Sequence, residues 1–139
     1  MADAIALRWL LKKGDYAGAR AARIEFRMRF LQRCADETAC ANAELVFGEL
    51  VSNAVRHAES EVRVSARFDG IATVHVTDDG NCFSPKSARP QPVEAESGRG
   101  LYIASVIASD LIVERMGARC VVTAVLPVSL APAPAEGAE

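Results

Sequence analysis

The chain has 139 residues, 50% of them hydrophobic and 24% charged, with a formal net charge of −2. That length suits one domain, able to bury about 68% of its unfolded surface without covalent staples. The charge argues against a generally basic protein that grips nucleic acid by its backbone, and leaves room only for a local basic patch.

The opening segment, MADAIALRWLLKKGD, does not read as a signal peptide. Asp3 stands where a basic region belongs, and Arg8 interrupts the apolar run. No stretch approaches the roughly 18 apolar residues of a membrane helix. The expectation is a soluble cytoplasmic protein with no membrane and no direct nucleic-acid partner.

Residues 4–11 alternate as a strand, and Lys12-Lys13-Gly14-Asp15 is a turn signal. From Tyr16 to Cys34 the period becomes helical. Ala17, Ala21, Ile24, Met28 and Leu31 form the expected apolar stripe, with Arg20, Arg23, Arg27 and Arg29 read as a solvated face. A second helix starts at the capping residue Asp36 and runs to His57-Ala58, with Ala39, Ala43, Val46, Leu50 and Ala54 facing the core.

Glu61–Phe68 alternates as a strand, Asp69-Gly70 is a hairpin signal, and Ile71–Thr77 is the antiparallel partner. Gly80–Gly98 reads as a long loop, the kind that is usually functional or disordered. A helix follows at 101–109, then strands near 111–114 and 119–126 joined at Met116-Gly117. The domain is expected over 1–127, with a low-complexity, unstructured tail over 128–139. Cys34, Cys40, Cys82 and Cys120 form no C-x-x-C pair, and reduced, mostly buried thiols are expected. The order β-α-α-β-β-loop-α-β-β predicts an α+β two-layer sandwich, a mixed, mostly antiparallel sheet covered on one face by helices.

Three short motifs carry chemistry. In ELVSNAVRH, Glu49, Asn53 and His57 are four residues apart, so each lies about 40° around the helix from the last, along one flank. A carboxylate, an amide and an imidazole in one row can face a metal and a phosphate chain. In VTDDGNCF, Asp78 at a strand end can accept from an exocyclic amine, and Gly80 lets the backbone turn beside a flat ring. In SGRGL, two glycines open a helix, where free N–H groups and the helix dipole favour phosphate. The G-K-[ST] of a P-loop is absent. Each motif alone has a bland reading: a polar helix stripe, a turn after an edge strand, a helix cap. Their order and spacing together are what carry weight.

Over roughly residues 1–127 these segments resemble the N, G1 and G2 boxes of the GHKL (Bergerat-fold) ATP-binding family. ELVSNAVRHA and SGRGLYIASVIASDL are most similar to its stand-alone anti-sigma-factor serine/threonine kinases. The resemblance implies ATP and Mg²⁺ as cofactors. Asn53 would ligate the metal, Asp78 would read the adenine amine, and Gly80 would seat the ring. Gly98, Arg99, Gly100 and Leu101 would cradle the phosphates, and Glu49 would be the general base. His57 matches a frequent family histidine, either touching phosphate or satisfying helix-end carbonyls. Cys82 departs from the pattern, standing where the G1 box usually has a second glycine. The implied function is phosphorylation of a STAS-type antagonist together with sequestration of a sigma factor. The alternatives are a non-catalytic ATP-dependent binding module and an ATP hydrolase. A homodimer is compatible with this reading.

Overall fold

A computed structural model describes residues 5–34, 36–80 and 104–129. Seven elements follow in chain order: β1 (Ile5–Lys12), α1 (Tyr16–Leu31), α2 (Glu37–His57), β2 (Glu61–Asp69), β3 (Ile71–Asp78), β4 (Asp110–Met116) and β5 (Arg119–Ser129). Residues 104–107 are also helical, within the helix expected at 101–109. The strands form one sheet in the order β1-β2-β3-β5-β4, and all four pairings are antiparallel. The protein is the expected α+β sandwich. Both long helices lie on one face, α2 across β2, β3 and β5, and α1 beside α2 and over β1. Among the described residues no helix is long and apolar enough to cross a membrane.

The period-2 pattern of β2 is realised directly. Val62, Val64, Ala66 and Phe68 are buried under the helices, and Arg63 and Arg67 stand on the open face. Ala72, Val74 and Val76 of β3 and Val122, Ala124 and Leu126 of β5 continue the same buried rows. Gly70 and Gly117 make the two hairpin turns at φ +78° and +66°, the left-handed region that glycine enters without a Cβ clash. Strand β5 runs past Pro127, where a tail was expected to begin. Thr73 pairs with Val125 but Ile71 pairs with Ser129, so the register shifts around Pro127, which has no N–H to give a regular ladder.

Helix α2 starts as its sequence suggests. The Asp36 side chain accepts from the N–H groups of Thr38 and Ala39, satisfying donors that the first turn leaves unpaired. Its buried face is wider than the expected stripe, adding Cys40, Phe47, Gly48, Val51 and Val55.

Helix α1 turns a different face inward than its apolar spacing suggested. The buried residues are Ala19, Ala22, Phe26 and Phe30, and the Ala17–Leu31 stripe points to solvent. Aromatic size decides between the two patterns. Phe26 stacks on Phe47 at a centroid distance of 4.3 Å and on Phe30 at 5.2 Å, and both Phe26 and Phe30 meet Phe68 edge-on. Ile24, Met28 and Leu31 have no rings to stack on Phe47 or meet Phe68 edge-on. The arginines are not all solvated either. Arg23 and Arg27 approach Glu44 of α2 at 3.1 and 3.7 Å. Just beyond α1, Arg33 is buried and donates to the Phe68 carbonyl at 3.2 Å.

The expectation of reduced thiols is overturned at the α1–α2 turn. Cys34 and Cys40 are disulfide-bonded, their Cα atoms 6.1 Å apart, within the range that the bridge requires. The helical turn between α1 and the first turn of α2 closes a distance that a six-residue spacing does not reveal. Cys120, buried in β5, is disulfide-bonded too, and Cys82 lies outside the described residues.

The aromatic cluster sets a stability test for α1. Phe26→Ala is expected to destabilise the fold by about 3–5 kcal/mol. In dilute solution Ile24→Ala should cost about 0.5 kcal/mol or less, as an exposed site does. Urea denaturation of the two variants checks the assignment of faces, and equal losses would contradict it.

Candidate functional site

The last turns of α2, the turn after β1 and the end of β3 meet at one corner of the sandwich. Lys13 N–H donates to the Ser60 carbonyl at 2.8 Å and Gly14 N–H to the Val55 carbonyl at 2.7 Å. Asp79 completes the joint. Its carboxylate accepts from the N–H groups of Glu59 at 2.8 Å, Ser60 at 3.0 Å and Glu61 at 3.4 Å, and from the Ser60 hydroxyl. These bonds, the Ser60 hydroxyl foremost, hold the Asp79 carboxyl well below the usual carboxylate range. Asp79 thereby ties the chain leaving α2 to the chain leaving β3.

Asp78 is its neighbour and its opposite. It belongs to a row that crosses the sheet as Val62, Asp78, Cys120 and Arg115, on the side facing the helices. Burial raises its carboxyl above the ordinary value, and the Asp79 charge adds to this. A hydrogen bond from Gly80 N–H at 2.6 Å, with His57 and Arg115 nearby, works the other way. Among the described residues, Gly80 N–H is the one donor bonded to this carboxylate.

Gly80 is buried against the end of α2. A Cβ there would run into the His57 carbonyl oxygen, a backbone atom that has no way to swing aside. The glycine is therefore required by a close approach rather than by its φ. Arg115 Nη2 donates to the Gly80 carbonyl at 3.3 Å and steadies the same turn from β4.

Glu49, Asn53 and His57 all lie on α2, the first two half-buried and His57 exposed on the final turn. The structure thus brings His57, Asp78 and Gly80 together directly, and sets Asn53 and Glu49 one and two turns back along the same flank. Gly98, Arg99, Gly100 and Leu101 lie outside the described residues. The residues that sequence reasoning passed over are Asp79, Ser60 and Arg115. The second aspartate of the Asp78-Asp79-Gly80 triplet was the visible signal for the first of these. Ser60 and Arg115 had none, because only the folded sheet brings them near. A separate cavity of about 420 Å³ on the open sheet face is lined by Arg8, Leu10, Arg63, Ser65 and His75 among others, and none of Glu49, Asn53, His57, Asp78 or Gly80 lines it.

With this geometry in place, comparison with known proteins is informative. The histidine kinase-like ATPase domain matches residues 16–126, and the chain belongs to that family. Membership implies ATP binding. No curated protein matches the chain significantly. Among solved structures it is similar to the RsbU and RsbW domains of Rv1364c from Mycobacterium tuberculosis, with a TM-score of 0.66 and 22% identity over 90% of this chain and 33% of that one. It is also similar to the Acinetobacter baumannii histidine kinase AdeS, at TM-score 0.52 and 15% identity over 88% of this chain and 68% of that one. The mycobacterial sensor histidine kinase MprB gives 0.50 and 16%, over 91% of this chain and 99% of that one. At these identities the likeness is one of fold. The chain spans about a third of the first of these proteins.

The contrast between the two aspartates gives a pH test. A carboxyl lowered by folding stabilises the protein above its unfolded value, about 3.9, and the contribution is lost as pH falls further. Asp79→Asn should therefore be less stable than the parent at pH 7, and the gap should close as pH drops below about 4. Denaturation midpoints measured across this range check it. A gap independent of pH would mean that the Asp79 charge plays no part in the joint.

Proposed function

We propose that the protein binds MgATP where α2 meets the end of β3, and passes the γ-phosphoryl group to a serine or threonine of a protein partner. The observation that carries this reading is Asp78, a half-buried carboxylate that among the described residues accepts from the Gly80 N–H alone, beside the helix flank of His57, Asn53 and Glu49. An acceptor with spare lone pairs at a strand end suits an exocyclic aromatic amine.

The residues present fit the two cofactors. Asp78 would accept from the adenine amine, and the close packing of Gly80 on the His57 carbonyl would fix the turn beside it. Asn53 would offer one amide oxygen to magnesium, a metal that needs few protein ligands. When bound, the metal neutralises charge that develops on the phosphates. By the resemblance, Gly98, Arg99, Gly100 and Leu101 would cradle the phosphate chain. Glu49 orients the acceptor hydroxyl and takes its proton as the oxygen attacks the γ-phosphorus and the bond to ADP breaks.

By resemblance the acceptor is a STAS-type antagonist, and the competing partner is a sigma factor that the protein sequesters in the cytoplasm. The similarity to a chain carrying an RsbW domain supports this choice. The other readings are an ATP-dependent binding module and an ATP hydrolase. Glu49 favours the kinase over simple binding, because a carboxylate in that place has no task in holding nucleotide. Incubation with ATP and a STAS-type protein separates the three, through phosphoprotein, free phosphate or neither.

Glu49→Ala should retain ATP binding and lose phosphoryl transfer by roughly 10²–10⁴-fold. Equal loss of both would make Glu49 a structural residue or a metal ligand.

Asp78→Asn tests the base reading. It puts an amide donor opposite the adenine amine, and an unmatched buried polar group costs roughly 1–3 kcal/mol. ATP should weaken about tenfold or more, and discrimination against GTP, which carries a carbonyl there, should shrink. Fluorescence competition between the two nucleotides measures this. Equal binding of ATP and GTP by the parent protein would remove the adenine-reading role from Asp78.

A further inference from the structure

The open face of the sheet, opposite the helices, carries its charge unevenly. Arg8 of β1, Arg63 and Arg67 of β2 and His75 of β3 all stand on it. Arg63 approaches Glu61 at 3.2 Å and Arg67 approaches Asp69 at 3.3 Å, each two residues along its own strand. Arg8 is exposed, and among the described residues it makes no ion pair or hydrogen bond. Its neighbours along the strand on this face are Ala6 and Leu10, its partner across the pair is Ser65, and its diagonal neighbours are Arg63 and Arg67. A cation set beside two others, with no carboxylate among its nearest neighbours, is a place where an anion is favoured.

The same face holds the cavity of about 420 Å³, lined by Arg8, Leu10, Arg63, Ser65, His75 and Thr77. These residues make two adjacent rows across the strands, Arg8-Ser65-His75 and Leu10-Arg63-Thr77. Ser65 is the smallest of them and lies between Arg8 and His75, so a low floor stands between tall walls. We propose that this cavity is a second ligand site, for a small phosphate monoester whose body is a flat ring.

The first row supplies partners for the head group. Arg8 brings a guanidinium, Ser65 a hydroxyl and His75 a ring nitrogen, from three adjacent strands about 4.8 Å apart. His75 Nδ1 lies 3.0 Å from the Thr123 hydroxyl oxygen. With that hydroxyl donating, the proton of a neutral imidazole sits on Nε2, where it can be given to a ligand. A phosphate monoester has three terminal oxygens for these three donors, whereas a carboxylate has two. The second row suits the body. Leu10 is 63% exposed. Arg63 Nε donates to Glu61 at 3.2 Å, which steadies a guanidinium plane suited to stacking on a ring. The cavity is far larger than a bare phosphate fills and lies within the roughly 300–1,000 Å³ of small-molecule sites. Thr77 lines it, while Asp78, the next residue, lies on the side facing the helices. The proposal therefore stands apart from the nucleotide reading of the α2–β3 corner.

Titration calorimetry of the whole chain with naphthyl phosphate at low salt tests the proposal, with thermal unfolding as the control for folding. Saturable binding at a single site is expected. Arg8→Ala should weaken it by about tenfold or more, because a charge-assisted contact is lost. Ser65→Val should weaken it by about fivefold or more, by removing a donor and raising the floor, while the Tm holds because valine suits a strand. Naphthol, which lacks the phosphate, and inorganic phosphate, which lacks the ring, should each bind about tenfold more weakly or worse. Inorganic phosphate binding as tightly as the ester would mean an adventitious ion only, and overturns the proposal. So does the absence of saturable binding up to about 10 mM probe, or binding indifferent to either variant.

Discussion

One carboxylate holds the working corner of this protein together. Asp79 gathers the N–H groups of Glu59, Ser60 and Glu61 at the start of β2, and its own backbone leads directly out of β3. That joint adds hydrogen bonds to the packing of Gly80 on the end of α2. Charge-assisted bonds to backbone N–H groups are stronger than neutral ones and geometrically specific. They fix where Asp78 and Gly80 sit relative to His57, and so fix the shape of the candidate nucleotide site.

The middle of α2 is held by packing. Phe47 stacks on Phe26 of α1 and meets Trp9 of β1 edge-on at 5.3 Å, so both helices and the edge strand share one cluster. Arg23 lies over Gly48 on its way to Glu44, a route that any side chain at Gly48 would obstruct. Helix α2 is therefore anchored by aromatic contacts near its middle and by hydrogen bonds at its C-terminal end. Glu49 and Asn53 occupy the stretch between the two anchors. Chemistry that needs side chains held in fixed relation benefits from that placement.

What the sequence disclosed, and what it withheld, follows from the range of each interaction. Strand alternation, the Asp36 cap and the Asp69-Gly70 turn are settled by residues within a few positions, and the structure repeats them. The α2 and β3 motifs were legible because their candidate residues recur at spacings that an element imposes, four on α2 and two after β3, while the third motif lies outside the described residues. The face of α1 was not legible, because two apolar stripes of similar regularity compete on it. Only the presence of Phe47 and Phe68 across the core favours Phe26 and Phe30. The Cys34–Cys40 bridge depended on how tightly the chain turns between helices. Arg115 reaches Gly80 from 35 residues away, through a register that no local pattern specifies.

The adjacent aspartates show how the fold divides labour within a dipeptide. Asp79 faces a ring of donors and is stabilised as an anion, whereas Asp78 faces the helix layer and is disfavoured as one by burial. The split arises where the strand ends, since Asp78 is the last residue of β3 and Asp79 stands in the bend that follows. Were Asp78 only structural, the simplest arrangement would supply it with donors as Asp79 is supplied. Among the described residues it has instead one donor, the Gly80 N–H. A buried acceptor with unmet capacity is costly in isolation and favourable once a donor arrives. That asymmetry is what a binding site requires: a group whose hydrogen bonding is completed by the ligand rather than by the protein.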